Sequence, residues 1–246
     1  MRYETVDRKF NNLIQNIQES FSDDKHITLF QKRNTIKIIE FESEKYVVKS
    51  FKIPHLLNQV VYNFFRESKA KRSYKNSIKL LELDVNTPAP IGYIEFGTAL
   101  LFKESFYISE FFDADFEIRA VFKDKNFEDR EKILEQFIEF SVELHNKGVY
   151  HIDYSPGNIL VQKKGDNYTF TIVDVNRMQF VAFDIDLRMK SMAKLTADSD
   201  DNQLLTKYYA EISNIDEQIL KEKFDFYLNE QQKYLENKKR LKNIKG

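Results

Sequence analysis

Leu144 to Arg177 reads LHNKGVYHIDYSPGNILVQKKGDNYTFTIVDVNR, and its spacing decides what kind of fold the rest of the chain must build. Asp153 follows His151 by two positions, Asn158 follows Asp153 by five, and a second acid, Asp174, ends the apolar run TFTIVD. Phosphoryl transfer asks for one carboxylate to take the proton of an attacking hydroxyl. It also asks for an amide oxygen and a second carboxylate to hold magnesium on the phosphates. Asp153 has the spacing of the first, and Asn158 and Asp174 that of the second.

The surroundings agree with this order. Ile133, Leu134, Phe137, Ile138, Ser141 and Leu144 recur at helical spacing, and Gly148 suits the left-handed residue that ends a helix. After HxDxxxxN come the apolar strand Ile159-Leu160-Val161, a turn at Lys164-Gly165-Asp166-Asn167, and a second strand ending at Asp174. That order predicts both acids at the mouth of one hairpin, facing one cleft. Other chemistries fit less well. His151 and Asp153 have no third His or Cys nearby to complete a zinc set, and Ser155 lacks a G-x-S-x-G elbow. His151 reads as a structural histidine of the loop, and structural roles are expected for His26, His55 and His145.

Composition narrows the classes further. The chain has 246 residues, enough for two modest lobes, and a formal net charge of −1, so no global field argues for nucleic acid. It has no cysteine, which excludes disulfides, zinc–thiolate sites and thiol catalysis. MRYETVDRKF lacks the apolar core of a signal peptide, and no run approaches the ~20 apolar residues of a membrane span, so a cytoplasmic protein is expected. With 22 Phe and 13 Tyr, the chain has the aromatic residues for a well-filled core.

Along the chain, Val6, Phe10, Leu13, Ile14, Ile17 and Phe21 predict a first helix. HITLF, TIKIIEF and KYVVKSF read as strands, then a helix from about Ser68 to Leu83 with Ile78 and Leu81 on its apolar side, then strands IGYIEFG and FYISEFF. The sequence after Phe112 is mainly helical, with later helices over Ala182–Leu195, Asn202–Ile212 and Asp216–Lys245. The predicted class is α+β, a bilobal protein-kinase-like fold. Residues 1–110 would form an N-terminal lobe of leading helix, five-stranded sheet and one helix. Residues 111–246 would form a mainly helical C-terminal lobe carrying the catalytic loop.

Lys49, on the strand KYVVKSF, has the place of the lysine that holds the α- and β-phosphates. The helix that follows should supply a Glu to orient it, and Glu67 is the nearest acid. No G-x-G-x-x-G lies between the first two strands. Lys32 and Arg33 occupy that turn, where two cations and backbone amides could meet phosphate. Adenine would bond to backbone groups near Glu110 and Phe112. Lys69, Lys71 and Arg72 read as a solvated face or as a contact for an anionic substrate.

Three stretches, SKAKRSYKNSIKLLELDVNTPAPIGYIE, HIDYSPGNIL and VDVNR, resemble the lipopolysaccharide kinase family of Gram-negative bacteria, the group containing Kdo kinases and core heptose kinases. The resemblance covers about residues 36 to 180. Where protein kinases carry Asp-Phe-Gly, this chain has Asp174-Val175-Asn176 with Arg177 following, similar to the lipopolysaccharide kinase pattern. The resemblance implies ATP and magnesium as cofactors. It implies transfer to a sugar hydroxyl of a lipid-linked inner-core acceptor such as Kdo-lipid A, and peripheral contact with the cytoplasmic face of the inner membrane. The chain departs from part of the family in lacking an acid within SKAKRSY.

Three rivals share the motif. A protein kinase would carry a Lys two positions after Asp153, where this chain has Ser155, and an A-P-E segment, which is absent. A soluble small-molecule kinase also suits HxDxxxxN with Pro156-Gly157. A kinase-shaped binding protein without activity would suit the missing glycine loop, but Lys49, Asp153, Asn158 and Asp174 are all present. The basic tail, Lys233, Lys238, Lys239, Arg240, Lys242 and Lys245, reads as a solvated helix end, with attraction to anionic lipid as the functional alternative. Oligomeric state is left open.

Overall fold

The computed structural model describes residues 1–23, 25–31, 34–51, 67–98, 101–196 and 198–243. Its first residues, Arg2–Thr5, form a strand, β1, where the alternation pattern anticipates none. The expected leading helix is broken into a 3-10 turn (Arg8–Phe10), α1 (Asn11–Gln15) and α2 (Ile17–Ser22), with Asn16 leaving helical geometry between them. Val6 is exposed and takes no part in the apolar face, whereas Phe10, Leu13, Ile14 and Ile17 are buried.

The strands that follow are β2 (Ile27–Gln31), β3 (Thr35–Phe41) and β4 (Glu44–Phe51), then α3 (Lys69–Glu82), β5 (Pro90–Gly97) and β6 (Phe102–Glu110). Glu42 and Ser43 both have positive φ, 51° and 65°, the primed turn geometry whose twist suits a hairpin. All six strands belong to one sheet, in the order β1-β5-β6-β4-β3-β2, so the expected five strands become six. Neighbouring strands of this sheet are antiparallel, and β1 pairs with β5 through Arg2–Glu95 and Thr5–Gly92.

Strand alternation divides β4 between two packing layers. Tyr46 and Val48 join Phe10, Ile14, Ile17 and Phe106 in the core under α1 and α2. Phe51 points the other way and packs with Ala70, Tyr74 and Tyr93 under α3. Lys49 has the same parity as Phe51. α3 starts where expected: Ser68 caps it by accepting from the Lys71 N–H at 3.0 Å. Its buried face is Ala70, Ser73, Tyr74, Ser77 and Leu80, while Leu81 is exposed. Two hydroxyls on that face are satisfied, Ser73 by the Lys69 carbonyl (2.9 Å) and Ser77 by the Tyr107 hydroxyl (2.7 Å).

The chain divides into two compact units, Met1–Asp113 with Ile172–Arg177, and Ala114–Thr171 with Met178–Gly246. The second unit contains β7 (Phe116–Glu117), α4 (Ile118–Lys123), α5 (Arg130–Asn146), β8 (Val149–His151), β9 (Ile159–Lys164) and most of β10 (Asn167–Ile172). It continues with β11 (Met178–Phe180), α6 (Ile185–Met192), α7 (Ser199–Ser213) and α8 (Glu217–Asn243). Its core is built on α5, whose Ile133, Leu134, Phe137 and Ile138 are fully buried. Gly148, at φ 70°, follows the C-cap of α5; a Cβ there would stand 2.8 Å from the Val181 carbonyl, and the Val181 N–H bonds to the Gly148 carbonyl at 2.8 Å. That turn feeds β8, which pairs with β11 through His151 and Met178. No helix among the described residues is long and apolar enough to cross a membrane.

Candidate functional site

In the first unit, β4 brings Lys49 to the α3 side of the sheet. Its Nζ lies 2.5 Å from Asp174 Oδ1, with the lysine side chain 11 % exposed and the aspartate 35 %. Asp174 itself has φ 58°, so the backbone turns sharply there into the 3-10 turn Val175–Arg177. Asn176 Nδ2 donates to the same Asp174 oxygen at 2.5 Å, and Asn76 of α3 donates to the Val175 carbonyl at 2.7 Å. The Asp174 turn is thereby fastened to the middle of α3. Just upstream, the Ile172 N–H bonds to the Asn86 carbonyl (2.9 Å) and its carbonyl accepts from Thr87 (2.8 Å).

Glu67 does not reach Lys49. It pairs with Lys75 at 2.5 Å and Lys71 at 3.7 Å, and the Lys75 bond holds its carboxyl below the usual range. The reason is periodic: Glu67, Lys71 and Lys75 are spaced by four along the start of α3 and share one stripe. Among the described residues, the ion pair of Lys49 is with Asp174 rather than with a helix glutamate. Lys32 and Arg33 lie outside the described residues. Glu110 is exposed at the end of β6 with its N–H donating to the Ala89 carbonyl at 2.9 Å, and Phe112 follows half-buried.

In the second unit, β8 delivers His151, 1 % exposed, and the chain then turns out of the sheet. His151 Nδ1 accepts from the Asp153 N–H at 3.0 Å, so the ring holds the loop backbone as a neutral acceptor. Asn158 Nδ2 donates to the Asp153 carbonyl at 2.9 Å, and the Ser155 N–H donates to that carbonyl at 2.7 Å. The 3-10 turn Pro156–Asn158 closes the loop. Tyr154 anchors it from below. The ring is fully buried and stacked on Phe137, and its hydroxyl meets Ser141 of α5 at 2.8 Å. Burial pushes the Tyr154 phenol far up.

Two basic residues that the motif did not reveal touch this loop. Lys194 donates to the Ile152 carbonyl and to the Tyr150 hydroxyl, both at 2.9 Å, with its ammonium 4.6 Å from the Tyr150 ring centre. Burial lowers its pKa to about 8, with Lys190 adding to the fall and Asp153 opposing it. Arg119 of α4 lies across Gly157. A Cβ on that glycine would stand 1.5 Å from Arg119 Nη2 and 2.5 Å from Cζ. Neither residue carries a sequence signal of its own, since each is one cation among 38 and its role depends on which backbone it meets.

The donor atoms suit magnesium. In the second unit Asn158 bonds through Nδ2, and its amide oxygen is of the hard neutral type; in the first, the Asp174 carboxylate is of the hard anionic type. Such a cation takes few protein carboxylates and completes its shell with water and phosphate. No group of three or more His, Cys, Asp or Glu side chains that could cage a metal occurs among the described residues.

Comparison with known proteins follows the same line. No curated protein matches the sequence. Among solved structures, WaaP in complex with acyl carrier protein aligns with a TM-score of 0.63 at 17% identity, covering 94% of this chain and 99% of that one. A crystal structure of WbdD aligns with a TM-score of 0.48 at 17% identity, covering 82% of this chain and 45% of that one. The first likeness shows the fold, a six-stranded antiparallel sheet with helices followed by a mainly helical C-terminal region. The model of the lipopolysaccharide kinase (Kdo/WaaP) family matches residues 22–214, most of both units and all of the motif residues described above. The chain belongs to the lipopolysaccharide kinase (Kdo/WaaP) family, and is a kinase.

Proposed function

We propose that this kinase transfers the γ-phosphoryl group of ATP, with magnesium, to a sugar hydroxyl of a Kdo-lipid A-like acceptor at the cytoplasmic face of the inner membrane. The observation that carries the reading is the family match over residues 22–214, which contains Lys49, Asp153, Asn158 and Asp174 intact. Asp153 removes the proton as the acceptor oxygen bonds to phosphorus, and the bond from that phosphorus to the departing ADP oxygen breaks. Lys49 meets the α- and β-phosphates, and Glu110 and Phe112 offer backbone groups to adenine. Asp174 and Asn158 would hold magnesium, which would supply charge neutralisation on the phosphates. Lys32 and Arg33 add positive charge at the first hairpin.

Label transfer from γ-labelled ATP to Kdo-lipid A in anionic vesicles tests this. Wild type should label the lipid and pellet with the vesicles. Asp153→Ala should lose about 100- to 10,000-fold in rate with ATP affinity unchanged. Asp174→Ala should also weaken magnesium-dependent nucleotide binding. Equal residual rates and equal nucleotide affinity in both variants would contradict the separate roles, and an unlabelled lipid fraction with wild type would refute the acceptor.

A further inference from the structure

Gly157 meets a side chain from outside the catalytic motif. The space where its Cβ would project is occupied by the guanidinium of Arg119: Nη2 at 1.5 Å, Cζ at 2.5 Å and Nε at 3.1 Å from that position. Any other residue there would expel the arginine. Gly157 stands one position before Asn158 and four after Asp153, a chain distance of at most about 14 Å. The loop that carries the candidate base therefore also seats a permanent cation.

Arg119 is not used up by internal contacts. Its side chain is 51% exposed, and its ion pair among the described residues is with Glu117, at 3.5 Å between Nη1 and Oε2, which is itself 45% exposed. An exposed pair of that length contributes little and exchanges readily for a better-matched anion. A guanidinium presents a planar fork of donors that fits two oxygens of a carboxylate or phosphate at once. Ile118, the preceding residue, is fully buried, so the backbone from which Arg119 projects is fixed by the core of this unit.

We propose that Arg119, seated on Gly157, binds an oxyanion of the acceptor and so selects an anionic acceptor over a neutral one. This rests on the acceptor reading above. The oxyanion is a carboxylate of the sugar acid or a phosphate of the lipid A disaccharide.

The test is a set of initial rates with γ-labelled ATP, for wild type, Arg119→Ala, Arg119→Lys and Gly157→Ala. Three acceptors are used: Kdo-lipid A, the same lipid with its carboxyls reduced to alcohols, and the same lipid with its phosphates removed. Arg119→Ala should raise the acceptor KM about 10- to 100-fold while the KM for ATP stays within about twofold. Arg119→Lys should recover part of the loss, and Gly157→Ala should raise acceptor KM in the same direction by displacing the arginine. Wild type should lose a comparable factor on whichever modified lipid lacks the bound oxyanion, and Arg119→Ala should not discriminate that lipid from the parent. An unchanged acceptor KM in Arg119→Ala, or full discrimination retained by it, overturns the proposal.

Wild type that transfers no label to any of the three lipids refutes the acceptor reading instead. Calorimetry with free Kdo and with inorganic phosphate then decides for Arg119. Binding of either anion to wild type and not to Arg119→Ala upholds it, and equal or undetectable binding overturns it.

Discussion

His145 is a residue whose chemistry departs far from its free form. It is 1% exposed on α5, its ring stacks on Phe183 with centroids 4.5 Å apart, and its Nδ1 lies 2.8 Å from the Tyr209 hydroxyl. Arg188 donates to that hydroxyl at 2.9 Å, so the buried ring and a guanidinium share one tyrosine oxygen. Burial lowers the His145 pKa to about 3, with Arg188 and Lys194 adding to the fall. The unfolded chain takes up a proton near pH 6.5 that the folded chain refuses until about pH 3. Stability should therefore be complete above about pH 6.5 and fall by about one proton's worth per pH unit as pH drops toward 3. Urea midpoints at pH 7.5, 6 and 5 should show this slope in wild type and a shallower one in His145→Leu; parallel slopes would remove His145 as the cause. At this scale much of the candidate site was legible. HxDxxxxN is read along one short loop, so local spacing suffices to bring the backbone of Asp153 to the side chains of His151 and Asn158. The partner of Lys49 was not legible, because choosing between Glu67 and Asp174 requires knowing how α3 is rotated. The spacing by four of Glu67, Lys71 and Lys75 is the one sequence signal that could have found the pairing of Glu67. Arg119, Tyr154 and Lys194 were missed because each acts on a residue distant in sequence.

Among the elements, the start of α7 is fixed by a buried carboxylate. Asp201 has a side chain 1% exposed, accepts from Lys125 at 2.6 Å, and also pairs with Arg130 at the first position of α5. Asp198, the N-cap of α7, takes the same lysine at 2.7 Å. The pair thus ties the connection between α4 and α5 to the beginning of α7. Asp201→Ala strands Arg130, only 14% exposed, without its counter-charge, and should cost about 3–5 kcal/mol. Chemical denaturation followed by circular dichroism measures this, and a loss under about 1 kcal/mol would show the cluster to be solvent-screened. Elements with strong local periodicity were legible: α3 from its Ser68 cap, α5 from its apolar recurrence and Gly148, and the hairpin strands from alternation. β1 was not. Its four residues are largely exposed, and it exists as a strand through pairing with β5, about ninety positions away in the chain. The break at Asn16 was equally hidden, since Phe10, Leu13, Ile14 and Ile17 keep one apolar face on either side of it.

For the molecule as a whole, the contact between Lys49 and Asp174 would, on the roles proposed above, make two ligands help each other. In this ion pair the cation proposed for phosphate and the anion proposed for metal neutralise one another across 2.5 Å. A metal that takes Asp174 releases Lys49 to a phosphate, and a phosphate that takes Lys49 releases Asp174 to a metal. Each ligand removes the other's competitor, and thermodynamic linkage makes the effect reciprocal. Magnesium and a non-hydrolysable ATP analogue should therefore bind with positive cooperativity, a factor of about 5–150. Lys49→Met should uncouple them in a particular sense: it should bind the analogue more weakly than wild type, yet bind magnesium alone more tightly, because the aspartate is no longer held by an internal cation. Calorimetric titration of magnesium into nucleotide-free protein reads this directly, and a weaker or unchanged magnesium affinity in Lys49→Met would show that the resting ion pair is no barrier to the metal.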